Sequence, residues 1–422
     1  MNRGVAITGI GVVAPGGIGL KPYWEQLVAG RSATRTITHF DAGPFRSRVA
    51  AEVDFDPVRS GLTQQEIRRM DRAAQFAVVS GREAWVDSGL DLDELDPTRI
   101  GVAVATANGA TTSIEREYVI CSDAGAKWDL DHEYVVPELY RHLVPSSIAA
   151  EVAVDLGAQG PAAIVSTGCT SGLDALGYAV DLIRDGSADL MIAGGTEAPI
   201  APITVACFDA IHATTPRNDD PEHASRPFDR NRNGFVLGEG AAVLVLEELE
   251  HARRRGTRIY AEIKGYASRC NAHHMTGLDP NGRELAEAIG AALAEARLDP
   301  TAVDYVNAHG SGTQMNDRHE TAAVKRALRE HAYRTPMSSI KSMIGHSLGA
   351  VGALEIAACA LAVEYDVVPP TANLFEPDPE LDLDYVPLVA RDRRTDVALS
   401  VASGFGGFQS AMVLARTTGS RA

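Results

Sequence analysis

Cys169 sits in the run VSTGCTSGLDALG, where an apolar strand ending at Ser166 gives way to a glycine turn and a helix starting near Thr170. A thiol at a helix N-terminus feels the positive end of the macrodipole, which lowers its pKa and makes it a nucleophile. Gly168 and Gly172 permit a sharp turn and the close approach of a substrate. His309, in YVNAHGSGT, and His346, in KSMIGHSLGA, occupy the same kind of place, each following an apolar strand. Ligands bind at the carboxyl ends of strands in α/β sheets, so the three residues can converge. Lys341 lies near the end of the strand before His346 and can supply a local field or anchor a carboxylate.

A second chemistry competes for the same stretch. GHSLG spells G-x-S-x-G, the nucleophile elbow of serine hydrolases, which would make Ser347 the nucleophile. In that architecture the acid and the histidine follow the serine, and here no histidine follows His346. Triads in other chain orders exist, so the order counts against Ser347 and in favour of His346. The other cysteines differ from Cys169: Cys359 lies in an apolar helix and reads as packing, and Cys121, Cys207 and Cys270 lack a comparable setting.

Strands and helices alternate along the chain, which is the α/β pattern. GVAITGIGVV reads as a short buried strand ending in a glycine turn. Its Gly9-x-Gly11-x-x-Ala14 resembles a dinucleotide fingerprint, but Pro15-Gly16-Gly17 follow where a helix should open. QEIRRMDRAAQFAVVSGREAWVDSG has helical apolar spacing with Arg68 and Arg69 on a basic face. The segments around Cys169 and His346 echo each other as strand, glycine turn and small-residue helix. That echo suggests an internal duplication with halves meeting near residue 255.

The chain has 422 residues, 45% hydrophobic and 23% charged, as expected of a folded globular protein. A net charge of −17 argues against a general nucleic-acid or anionic-membrane binder. Five cysteines, odd in number and never spaced C-x-x-C, argue against a disulfide framework or a zinc site, and no metal is expected. The N-terminal stretch lacks a signal-peptide pattern, and the apolar run from Ala350 to Val363 is too short to span a bilayer. Together these features predict a cytoplasmic protein.

VSTGCTSG, NAHGSGT and KSMIGHSLGA resemble the three active-site blocks of β-ketoacyl synthases, and SRPFDRNRNGFVLGEGA and SGFGG resemble further blocks of that family. The resemblance runs along essentially the whole chain. FDAIHATTPRNDDPEHASRPFD, CNAHHMTGL and HGSGTQMNDRHE are most similar to the α ketosynthase subunit of bacterial type II aromatic polyketide synthases. It implies a thiolase-like duplicated αβαβα fold with two mixed five-stranded sheets, residues 1–255 carrying the cysteine and 256–422 the two histidines.

The implied reaction is a decarboxylative Claisen condensation of a malonyl thioester with an acyl chain on Cys169. His309 and His346 would stabilise the enolate, and Lys341, interacting with Glu355, would orient them. The amides of Cys169 and Phe405 would form the oxyanion hole. Thr276, Ser311 and Thr313 match positions that hold the phosphopantetheine arm, and Arg68 and Arg69 a docking patch for acyl carrier protein. No bound cofactor is implied. The implied partners are acyl carrier protein and a chain-length factor in a heterodimer, with a homodimer as the other arrangement. The alternatives are a fatty-acid elongation synthase and a non-catalytic chain-length or scaffold subunit.

Overall fold

The computed structural model describes residues 3–127 and 129–417. Its first strand, β1 (Val5–Ala14), is buried along all ten residues. It lies beneath helix α1 (Arg72–Ser88). Gly9 and Gly11 are inside this strand and do not form the expected turn. A Cβ on Gly9 would stand 2.1 Å from the carbonyl oxygen of Ala84, and one on Gly11 1.9 Å from that of Ser80. The glycines therefore let a helix backbone lie directly on a strand. The single helical stretch expected for QEIRRMDRAAQFAVVSGREAWVDSG is two helices: Gln64–Arg69 ends at Met70, and Asp71 caps α1 by accepting from the Ala73 N–H at 2.8 Å.

The other N-terminal elements that build the layers are β2 (Ile100–Ala105), α2 (Ser146–Leu156), β3 (Ala162–Val165), α3 (Ser171–Arg184), β4 (Leu190–Glu197) and β5 (Gly240–Glu248). Their C-terminal counterparts are β6 (Ala261–Cys270), α4 (Arg283–Ala296), β7 (Tyr305–Asn307), α5 (Gln314–Leu328), β8 (Met337–Ser338), α6 (Val351–Tyr365), β9 (Val397–Gly404) and β10 (Phe408–Ala415). Strands in the first group run in the order β3-β2-β4-β5-β1, and in the second β8-β7-β9-β10-β6. Within each group the parallel and antiparallel pairings match position by position. The two five-stranded arrays meet edge to edge through a short antiparallel ladder, Val5–Ile7 of β1 against Ala261–Ile263 of β6.

Helices α3 and α6, equivalent in the two groups, pack against each other between the arrays, while α1 with α2 and α4 with α5 cover the outside. This gives five layers, αβαβα. Apart from Glu355, helix α6 is apolar all round along its buried span, Val351–Val363, as suits a central helix. The central helices approach closely because glycine faces glycine. A Cβ on Gly172 of α3 would stand 2.6 Å from the Ala353 nitrogen, and one on Gly352 of α6 2.8 Å from the Leu173 nitrogen. Replacing either glycine by a larger residue would push apart the helices that follow Cys169 and His346.

Strand β3 is not buried as its apolar residues suggested. It is an outer strand, paired only with β2, and Ala162–Val165 are half-buried or exposed. Among the described residues no helix is long and apolar enough to cross a membrane.

Candidate active site

Cys169 follows β3 in a single turn of 3-10 helix, Gly168–Thr170, that feeds α3. Gly168 has φ +63°, in the left-handed region that glycine adopts without penalty. Ser171 Oγ donates to the Gly168 carbonyl at 2.5 Å and accepts from the Thr167 N–H at 2.8 Å, which locks the turn. Asp174 accepts from Thr170 Oγ1 at 2.8 Å, from Tyr266 Oη on β6 at 2.7 Å and from Ser410 Oγ on β10 at 2.5 Å. The Cys169 turn of the first half is thereby fastened to the sheet of the second.

His309 follows β7. Its N–H and that of Gly310 donate to the Glu320 carboxylate on α5 at 2.5 and 2.8 Å. Its carbonyl accepts from Lys341 Nζ at 2.5 Å. Lys341 does not end a strand as expected. It opens a four-residue helix, Lys341–Ile344, after β8. Fully buried, it pairs with the equally buried Glu355 on α6. Burial pushes the Glu355 carboxyl up to about 7, with the Lys341 ammonium pulling the other way.

His346 is not at a helix start. It lies in an extended segment upstream of α6, its N–H donating to the Val236 carbonyl at 2.8 Å and its carbonyl accepting from the Gly238 N–H at 3.0 Å. A short strand contact with the first half therefore aims the ring. Its Nε2 stands 3.2 Å from Cys169 Sγ. The His309 and His346 rings lie edge to face with centroids 5.3 Å apart.

These groups line one pocket of about 230 Å³. Cys169, His309, His346 and Phe405 are in its wall, and so are Thr276, Ser311 and Thr313. Phe208, Phe235, Leu278, Met315 and Leu348 make it mainly apolar. Ser311 and Thr313 hydroxyls are 3.1 Å apart, and Thr313 also caps α5 through the Asn316 N–H at 3.2 Å. Thr276 is exposed, in a loop where its N–H donates to His274 Nδ1 at 3.1 Å. Lys341 and Glu355 lie behind the wall and do not reach the pocket.

Ser347 is buried and outside the pocket lining, so the serine chemistry has no substrate-facing nucleophile. Arg68 is exposed, whereas Arg69 is half-buried and paired with Glu151 at 2.7 Å. No cluster of three or more His, Cys, Asp or Glu that could hold a metal occurs among the described residues.

The electrostatics suit proton transfer. Burial pushes the Cys169 thiol up to about 11, against the Lys341 cation and a hydrogen bond from the Phe405 N–H. The thiol rests protonated, contrary to the expectation from the helix N-terminus. Burial, reinforced by Lys341, holds both imidazoles well below the ordinary histidine range. Both rings are therefore neutral at physiological pH and able to donate or accept. Sequence reasoning passed over Glu320, Asp174 and Glu197. The one local signal was Glu197, an acid ending an apolar strand, where a charge persists only if donors surround it; Asp174 and Glu320 lie within helices.

Profiles of the Beta-ketoacyl synthase N-terminal and C-terminal domains match residues 2–252 and 260–375. The tetracenomycin polyketide synthase ketoacyl synthase alpha subunit of Streptomyces glaucescens is 63% identical over 415 residues, covering 98% of this chain and 97% of the relative. The 3-oxoacyl-[acyl-carrier-protein] synthase 2 of Coxiella burnetii is 42% identical, covering 98% and 99%. A type II polyketide ketosynthase solved with its acyl-carrier protein and bound to the hexaketide superposes with TM-score 0.93 at 38% identity, covering 99% of this chain and 100% of that one. The ishigamide ketosynthase/chain length factor superposes with TM-score 0.91 at 35% identity, covering 99% and 100%. The chain belongs to the β-ketoacyl synthase family of condensing acyltransferases. Within that family it stands with the type II polyketide ketosynthases.

Proposed function

We propose that the protein condenses malonyl units, delivered on acyl carrier protein, with a growing poly-β-ketoacyl chain held as a thioester on Cys169. The observation that carries this is the contact between His346 Nε2 and Cys169 Sγ in an apolar pocket that also holds His309 and the Phe405 loop. In the first step the thiol attacks the acyl thioester and its proton passes to His346. The proton then leaves with the thiolate of the carrier arm. The oxyanion is met by the N–H groups of Cys169 and Phe405.

In the second step the malonyl thioester loses carbon dioxide. Its enolate oxygen sits between two neutral imidazoles whose N–H groups stabilise the developing charge. Neutral donors suit this step, since they add no cation that would hold back the malonyl carboxylate. The carbanion then attacks the carbonyl on Cys169, the carbon–sulfur bond breaks, the Cys169 thiolate takes up a proton to restore the thiol, and the extended chain leaves on the carrier protein.

Lys341 serves as a positioning residue, through Glu355 and the His309 carbonyl. Thr276, Ser311 and Thr313 line the path of the phosphopantetheine arm, and Arg68 with Arg69 offers the acidic carrier protein a docking point. This reading divides the labour between residues 1–255, with the nucleophile, and 256–422, with both histidines. It requires no bound cofactor, places the enzyme in the cytoplasm and pairs it with a chain-length factor.

The test is to supply malonyl- and acyl-loaded acyl carrier protein with the chain-length partner added or omitted. Polyketide formed only with the partner supports this reading. Product formed without it points to a fatty-acid-type homodimer, and no condensation in either case to a non-catalytic subunit.

A further inference from the structure

Glu197, the last residue of β4, is fully buried and does not line the pocket. Each of its carboxylate oxygens accepts two hydrogen bonds. Oε1 takes Thr106 Oγ1 at 2.9 Å and the Asn108 N–H at 3.0 Å. Oε2 takes the Ala107 N–H at 2.6 Å and the Gly349 N–H at 2.9 Å. The first three donors follow β2, and Ala107 and Asn108 are part of the pocket wall. The fourth, Gly349, belongs to the turn at 348–350, just after the extended segment that carries His346. One carboxylate thus joins a wall of the pocket to the turn that follows a reacting imidazole, across the boundary between the two halves.

The site admits no simple replacement. A Cβ on Gly349 would stand 2.7 Å from Glu197 Oε2 and 2.4 Å from the Ala107 nitrogen, so the turn presses directly on the carboxylate. An amide in its place would turn an NH2 group toward N–H donors on one side, and at least one backbone partner would be lost.

We infer that Glu197 is a positioning residue for the condensation: it fixes the segment that carries His346 and the Ala107–Asn108 wall relative to Cys169. The inference rests on the functional reading above for the identity of the reaction but not for the clamp itself. Burial raises the carboxyl to about 7, so at pH 8 it is mainly ionised.

In the full chain with its chain-length partner, Glu197→Gln at pH 8 should slow malonyl-acyl carrier protein decarboxylation roughly tenfold or more through kcat, with KM little changed, because the segment that carries His346 loses its anchor. Thr106→Val, which removes one donor and keeps the carboxylate, should slow decarboxylation more mildly. Unchanged kcat in Glu197→Gln, a loss that falls on KM instead of kcat, or a kcat that falls only together with thermal stability, would overturn the inference. If Glu197→Gln does not fold, equal decarboxylation by Thr106→Val and the unmodified enzyme would overturn it. Failure of the functional reading would show separately, as no decarboxylation by the unmodified enzyme.

Discussion

His346 Nε2 stands 3.2 Å from Cys169 Sγ although 177 positions separate the two residues in the chain. The contact is assembled by two different devices. A locked turn at the head of α3 presents the thiol, and a strand-like segment held by Val236 and Gly238 presents the imidazole. His309 has no such contact with the thiol and meets the site through its ring alone. The two histidines should therefore separate kinetically. His309→Ala should lower malonyl decarboxylation by ~10²–10³ while leaving acyl loading of Cys169 within a few-fold. His346→Ala should slow both. Stopped-flow loading and carbon dioxide release measure the two steps independently.

The pH dependence follows from the direction of the histidine shifts. Burial and the Lys341 cation lower both imidazoles in the folded protein. A lowered pKa means the neutral, working form persists below the pH at which an exposed histidine would charge. The imidazoles should therefore contribute no acid limb near 6.5 to malonyl decarboxylation, and a loss of rate between pH 8 and 6 belongs to the buried carboxyls of Glu197 and Glu355, both raised to about 7. In Lys341→Met the histidine limb should move up toward the measured range, since one of the causes is removed. A profile of kcat from pH 5 to 9 checks both statements.

The Lys341–Glu355 pair should behave as a buried ion pair. Removing one partner leaves the other charge uncompensated, so Lys341→Ala should lose ~3–5 kcal/mol of stability. Lys341→Met combined with Glu355→Leu should recover much of that loss, because matched apolar groups replace a matched ion pair. Activity should not recover with it, since the His309 carbonyl still lacks its donor. Denaturant unfolding beside turnover separates the two effects.

Arg68 and Arg69 look equivalent in sequence and are unlike in space. Arg68 is exposed, so Arg68→Glu should raise the KM for acyl carrier protein about tenfold with kcat and thermal stability unchanged, by reversing a rim charge. Arg69→Glu places a carboxylate against Glu151 and should also lower the melting temperature. Measuring both at 50 and 300 mM salt gives a second check, because the Arg68 effect should shrink as salt rises.

Much of this site was legible in the chain because its chemistry is local. A cysteine or histidine just after an apolar strand and beside glycines has few other reasons to be there. The duplication was legible for the same reason, as two strand-turn-helix units. What sequence pattern could not show was long-range. Apolar alternation cannot tell the half-exposed outer strand β3 from a buried one, since only its neighbours differ. Nor can it show that Gly9 and Gly11 admit a helix where a turn was expected. Glu197, Glu320 and Asp174 carry little local meaning, because their partners come from elsewhere in the chain. The thiol pKa went the other way for a similar reason: burial by distant elements outweighs the helix terminus beside it.

The most direct test of the account is to find the atom that carries the acyl chain. The enzyme would be incubated with acyl-loaded acyl carrier protein, quenched, digested and analysed by peptide mass spectrometry. The account predicts the acyl mass on Cys169 alone, lost in Cys169→Ala and retained in Ser347→Ala. Acyl mass on Ser347, or none on Cys169, would contradict it.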